Sequence, residues 1–210
     1  MTDIDEFLTK VMPFAPTCPE PTAIEHIRAA ARDFCEMTRL WRFDDTFQIG
    51  DDPNVVCTPC GAVIHEIERC DYNGKKLDPA SLDWLDDRHP NWRSDTQLWT
   101  GQPKWFTQVE PNTVRVVPAP IEPDGNIKVW LHLKPSEDAD QLPDFLARDH
   151  MTIISWGALA NILMLPKQPF TDTNMAVFFS GKFDAALGRK SKLQSSGQQR
   201  APVRSKANFF

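Results

Sequence analysis

The chain has 210 residues, 41% of them hydrophobic and 25% charged, with a formal net charge of −6; that length suits one sizeable core, or one core carrying an inserted subdomain. No stretch approaches the ~18 consecutive apolar residues of a membrane-spanning helix, and Met1–Lys10 holds Asp3, Asp5 and Glu6 where a secretory signal is basic, so maturation in a cytoplasm is expected. Five cysteines at irregular spacing exclude a disulfide framework, and an acidic body repels phosphate, which excludes a general nucleic-acid binder.

The first periodic segment predicts a helix from about Pro21 to Trp41. Thr22 and Glu25 have capping-box spacing. Ile24, Ile27, Ala31, Phe34, Cys35, Thr38 and Trp41 recur at spacings of three and four, so one face is apolar. The opposite face carries Glu25, His26, Arg28, Arg32, Asp33, Glu36 and Arg39.

From Asp44 the texture is that of short strands: Thr46–Ile49, Val55–Cys57, Ala62–Ile67 and Arg69–Asn73, with a hairpin signal at Asn73-Gly74. Pro79–Arg88 is a short helix candidate. Lys104–Val109, Thr113–Val117 and Asn126–Leu133 read as further strands, the last alternating Val129, Leu131 and Leu133 with Trp130, His132 and Lys134. Half of the 18 prolines fall between Pro79 and Pro143, which suits turns rather than long helices.

Helical texture returns after Leu142-Pro143-Asp144. Phe145–Leu165 is apolar nearly all round and predicts a buried helix that Pro166 ends. A last helix is expected from Asp172 to about Leu193, with Met175, Phe178, Phe179, Phe183, Ala186 and Leu187 as its stripe. Ser195–Gln199 has linker composition.

These readings give an α+β fold: a helical bundle with an inserted small antiparallel β-subdomain and an extended C-terminal tail. The expected organisation is an N-terminal arm and first bundle helix over 1–43, the β-subdomain over 44–135, the remaining bundle helices over 136–194, and a docking tail over 195–210.

The tail stands apart electrostatically. Residues 181–210 hold seven Lys/Arg against Asp184, so they carry about +6 and residues 1–180 about −12. Arg189, Lys190 and Lys192 suit the C-terminal end of the last helix and its dipole. Arg200, Arg204 and Lys206 lie beyond it and are followed by Phe209-Phe210, an apolar pair at a terminus, which has the character of an anchor.

Several constellations invite a chemical reading. Cys57-Thr58-Pro59-Cys60 has a redox or zinc spacing, but strand-like sequence follows it rather than a helix N-terminus. His65 and Cys70, five apart, would point to opposite faces of a strand. A proline turn with buried thiols is the favoured reading. Asp44-Asp45, Asp51-Asp52 and Asp86-Asp87 pair carboxylates as calcium sites and glycosidases do, yet in loop-like positions they fit a solvated surface better. Trp84, Trp92, Trp99 and Trp105 offer a sugar platform, subunit-interface contacts or, preferably, filling between the β-subdomain and the bundle. The five histidines are scattered, and the chain contains no Gly-x-Ser-x-Gly elbow and no P-loop.

Longer-range order adds a resemblance. Phe7-Leu8, Val11-Met12-Pro13 and Ala15-Pro16-Thr17-Cys18-Pro19-Glu20-Pro21 lead into a helix ending Ala30-Ala31-Arg32-Asp33-Phe34-Cys35-Glu36-Met37-Thr38. Asp71-Tyr72-Asn73-Gly74-Lys75-Lys76-Leu77, Gly101-Gln102-Pro103-Lys104-Trp105-Phe106, Leu133-Lys134-Pro135-Ser136, Leu142-Pro143-Asp144-Phe145 and Gly157-Ala158-Leu159-Ala160 follow in order. Together with the aromatic C-terminus, this series resembles the head-to-tail adaptor (connector, head-completion) proteins of tailed bacteriophages over nearly the whole chain.

The resemblance implies a non-enzymatic virion protein at the neck, needing no cofactor or metal. Its expected partners are the portal, downstream tail or nozzle proteins, and other copies of itself in a ring, typically of twelve. Genomic double-stranded DNA would pass through the lumen without sequence-specific binding, and no membrane is involved. Carried onto this chain, the portal-binding set is Arg200, Arg204, Lys206, Phe209 and Phe210. The rival readings are a zinc- or redox-active cytoplasmic protein using Cys57 and Cys60, and a carbohydrate-binding or hydrolytic module.

Overall fold

The structure is a computed structural model that describes residues 1–49, 54–93, 100–121 and 125–196, with the backbone alone for 192–196. Its elements in chain order are β1 (Thr2–Asp3), a 3-10 turn (Ile4–Phe7), α1 (Leu8–Val11), α2 (Glu20–Thr38), β2 (Arg42–Gln48), β3 (Asn54–Val56), β4 (Ala62–Tyr72), β5 (Lys75–Lys76), β6 (Asp78–Pro79), α3 (Leu82–Arg88), β7 (Trp105–Thr107), β8 (Thr113–Val117), β9 (Asn126–Pro135), β10 (Gln141–Leu142), α4 (Asp144–Leu163) and α5 (Thr173–Ser196). The class is α+β. Two compact units divide the chain, residues 1–40 with 134 onward, and residues 41–133.

The first unit is helical. Its α4 packs against both α2 and α5, which also touch each other. The segment before α2 is folded: Ile4, Phe7, Val11, Ala15 and Cys18 are all buried. β1 pairs antiparallel with β10, Thr2 opposite Leu142, which fixes the start of the chain beside the entry to α4.

α2 starts two residues before the capping box that its sequence offers. Pro19 holds the N-cap position without a side-chain hydrogen bond, and Pro21 occupies the first turn. A proline there has no N–H to satisfy, so Thr22 and Glu25 are not needed as caps. The helix stops at Arg39, which turns left-handed (φ 52°) while its N–H bonds Cys35 O at 2.8 Å, so Trp41 is not part of it. Ala23, Ile27, Ala30, Ala31, Phe34, Cys35 and Thr38 are buried, whereas Ile24 is only half-buried. Each such Ile or Phe side chain contributes about 1.5–3 kcal/mol by leaving water.

α4 buries Leu146, Ile154, Ala158, Leu159, Ile162 and Leu163, while Ile153, Trp156 and Ala160 are only half-buried. Gly157 permits its closest approach to neighbours, since a Cβ there would lie 2.9 Å from Phe183 Cζ and 3.0 Å from Ala30 Cβ. Asp172 caps α5 by accepting from Met175 N at 3.0 Å. Two expectations for α5 change. Phe178 is not in its buried stripe, which consists of Ala176, Phe179, Phe183, Ala186 and Leu187. The helix also carries Ser195 and Ser196, so the expected linker does not begin at Ser195.

The second unit holds two four-stranded sheets, in the orders β2-β9-β4-β5 and β3-β8-β7-β6. β2 runs antiparallel to β9 with Phe43 opposite Leu131 and Phe47 opposite Ile127. Ile127, Val129, Leu131 and Leu133 are buried, as their alternation requires. Asn73 (φ 46°) and Gly74 (φ 78°) turn β4 into β5, both in the left-handed region that a two-residue hairpin demands. Two details differ from the sequence reading. β4 is one continuous strand, because no Gly or Pro interrupts it, although Glu68 and Arg69, on opposite faces, are both exposed. The second sheet is mixed rather than antiparallel, because β6 runs parallel to β7.

Candidate assembly surfaces

The nominated catalytic constellations are taken apart by the fold. Cys57 is buried, donates from Sγ to Val55 O at 3.2 Å, and has its thiol pushed up to about 12 by burial, whereas Cys60 is exposed. Cys70 is buried too, and burial raises its pKa. A reactive thiolate needs the opposite environment. Among the described residues no group of three or more His, Cys, Asp and Glu is arranged to hold a metal ion.

The acid pairs are dispersed in the same way. Asp45 Oδ1 accepts from Thr46 N at 2.7 Å and Asp44 lies 3.5 Å from Lys128 Nζ. Asp86 accepts from the Trp92 indole at 2.7 Å and holds Arg93 at 2.8 and 3.0 Å, which together lower its pKa, the Arg93 bond first. Asp51-Asp52 lies outside the described residues. His132 Nε2 approaches Glu68 Oε2 at 3.5 Å, and His150 sits in the helical core against Phe34.

The tryptophans fill the second unit's own interior. Leu85, Trp92 and Val117 form a small core against which Trp84 and Trp105 pack; those two rings touch at 5.3 Å, and His89 contacts both, at centroid distances of 5.6 and 5.0 Å. Their partners come from α3, β7 and β8, all within this unit. Trp99 lies outside the described residues, as do Arg200, Arg204, Lys206, Phe209 and Phe210.

Two surfaces of the helical unit stand out instead. The first is a cleft of about 700 Å³ along the polar face of α2, lined by Glu25, Arg28, Ala29, Arg32, Asp33 and Glu137 among others. It exists because the end of β9 and the segment after it are strapped to α2. Arg28 Nε donates to Ala139 O at 2.8 Å, Arg32 Nη1 meets Glu137 Oε1 at 2.9 Å, and Lys134 Nζ bonds Glu36 Oε1 at 2.5 Å. The arginine side chains are only 17% and 23% exposed, so their stems pack while their charges are committed to the strap. Asp33 has no such partner. Desolvation by the cleft wall raises its pKa first, the nearby Glu36 carboxylate second, against the lowering by Arg32 and Lys134.

The second surface is the outward side of α5. Val177 and Phe178 are 62% and 51% exposed. Phe178 stacks edgewise on Phe179 at 5.5 Å, Phe179 meets Phe14 at 5.2 Å, and Lys182 Nζ sits 4.4 Å from the Phe178 ring and 5.2 Å from that of Trp156. Gly181 and Gly188 lie on this helix with open space where a Cβ would be. Neither surface was singled out by composition or motif. The fourfold spacing of Arg28, Arg32 and Glu36, and the two glycines seven apart inside a helix, are the sequence signals that mark them.

The helical unit thus presents two prominent surfaces, a charged cleft and an exposed aromatic ridge. Over residues 2–206 the sequence matches the family described as SU10 adaptor protein, and the chain belongs to that family. It is a structural adaptor protein of a phage particle. Comparison with curated proteins gave no match.

Proposed function

We propose that this adaptor sits at the virion neck as a ring, typically of twelve copies, joining the portal to the tail and extending the DNA channel. The family match over nearly the whole chain carries this reading. Charge distribution supports it: a body of about −12 would line a lumen through which DNA passes without adhering, while the basic end reaches outward. Arg200, Arg204 and Lys206 would meet carboxylates or carbonyls of the portal, and Phe209 and Phe210 would enter apolar pockets there. Downstream tail or nozzle proteins would dock on the opposite side of the ring.

The test is a chain truncated after Ser196, compared with the full chain in a portal pull-down and by circular dichroism. Loss of portal binding with helix content retained supports the docking assignment. Undiminished binding by the truncated chain would exclude it. Imaging of the adaptor alone and mixed with its portal checks the ring itself.

A further inference from the structure

We infer that the outward side of α5 docks into the α2 cleft of a second copy of this chain, a head-to-tail contact that rests on the ring reading and supplies its subunit interface. The first support is the pair of glycines. Gly costs a helix interior about 1 kcal/mol relative to Ala, and Gly157 has an internal reason to be Gly, since a Cβ there would collide with Phe183. Gly181 and Gly188 have none: an added Cβ meets nothing within 4 Å at either position. With exposed Ala185 between them they form a smooth strip at spacings of four and three, where another helix can approach closely. At one end of that strip Val177 and Phe178 stand exposed.

Charge and dimension identify the occupant. Lys182 and Arg189 edge one side of the strip, seven residues or about 10.5 Å apart along the axis, with exposed Asp184 on the other side. Across the unit, Glu25 and Asp33 edge the α2 cleft, eight residues or about 12 Å apart. Ala29, small and half-buried, lies between those acids and lines the cleft. Arg28 and Arg32 do not oppose an incoming cation fully, because Ala139 O, Asp140 and Glu137 already engage them. At exposed Asp33, whose ionised form is disfavoured by desolvation and by Glu36 against the lowering by Arg32 and Lys134, an incoming cation stabilises the carboxylate. Both surfaces belong to the same helical unit but to different helices, so the contact uses two different patches and repeats from copy to copy. Heterologous contacts of this kind close into rings or run on as filaments.

The deciding experiment uses full-length chains and two charge-reversed variants, Lys182→Glu/Arg189→Glu and Glu25→Lys/Asp33→Lys, observed by native mass spectrometry alone and bound to the cognate portal. Each variant alone should lose at least about tenfold in assembled fraction, since every contact then places like charges together. A one-to-one mixture should assemble with the two variants alternating, because each reversed ridge then meets a reversed cleft and each native ridge a native cleft, always of opposite sign. Gly181→Leu should also abolish assembly while its thermal midpoint stays at or above that of the parent, which separates contact from folding. If wild-type rings form but ignore all three variants, or if the mixture stays unassembled, the α5-to-α2 contact is wrong while the ring stands. If the wild-type chain forms no oligomer alone or on the portal, both fall. Loss confined to portal complexes and not restored by mixing would assign the α5 ridge to the portal instead.

Discussion

Gly157 of α4 lies against Phe183 of α5 so closely that a single added methyl group would come within 2.9 Å of the ring. The same site touches Ala30 of α2, so one glycine sets the spacing of all three long helices. Gly157→Ala should therefore destabilise the chain by about 1–3 kcal/mol, the range for overpacking a close contact. Gly181→Ala and Gly188→Ala should do the reverse, each adding up to about 1 kcal/mol through helix propensity alone. Urea denaturation of the three variants checks both signs, and a stabilised Gly157→Ala would show that the ring can withdraw freely.

His150 predicts a pH dependence. It is 8% exposed, its ring lies 4.9 Å from that of Phe34 and 6.3 Å from that of Phe145, and its Nδ1 is buried with no well-formed hydrogen bond. Burial chiefly, and Lys190 of α5 in second place, lower its pKa from 6.5, although the adjacent Asp149 raises it. The native state thus holds it neutral, while the unfolded chain protonates it below 6.5. Stability from this site is fully present above that value and is lost as pH falls, because the unfolded state binds the extra proton. Denaturation midpoints at pH 8 and pH 5 should differ for the wild type and differ less for His150→Phe. Asp86, Asp138 and Asp144, whose pKa values are lowered by hydrogen bonds, give up their contributions in a separate, more acidic window below the ordinary carboxylate value of 3.8.

The strap over α2 should depend more on Arg28 than on Arg32. Arg28 hydrogen-bonds a backbone carbonyl with a largely buried stem, whereas the Glu137 partner of Arg32 is 84% exposed. Arg28→Ala should cost about 1–3 kcal/mol as a charged hydrogen bond is lost, and Arg32→Ala about 0–1 kcal/mol. Amide exchange in residues 136–141 should quicken markedly in the first variant and little in the second.

Thiol labelling should find one fast cysteine in the native chain. Cys60 is exposed, whereas Cys18, Cys35, Cys57 and Cys70 are buried. Burial pushes the Cys35 and Cys57 thiols up to about 12, which suppresses the thiolate that reacts. All five should label once the chain is unfolded, and fast labelling of Cys57 in the native state would contradict its position.

Much of the architecture was legible because it rests on local periodicity. The alternation through Val129, Leu131 and Leu133, the Asn73-Gly74 turn and the apolar helix before Pro166 are short-range patterns with a direct physical cause. Element ends were less legible where two local rules competed. Pro19 and Pro21 start α2 ahead of a plausible capping box, and an αL residue ends it before Trp41. The tryptophans could be seen as core material, but which core they fill depends on β7 lying beside β8 and α3, which no spacing within 84–105 reveals.

What the sequence by itself determined is the α+β class, the charge split between body and C-terminal end, and an ordered series of motifs specific enough to indicate an adaptor family. These are properties of composition and of neighbours along the chain. Only the tertiary structure decided that Arg28 and Arg32 are spent on a strap more than a hundred residues away, that Phe178 faces outward, and that Gly157 is packed while Gly181 and Gly188 are open. The reason is that burial and charge pairing are relations between distant segments: the same residue type on the same helix periodicity is core or interface according to what folds back against it.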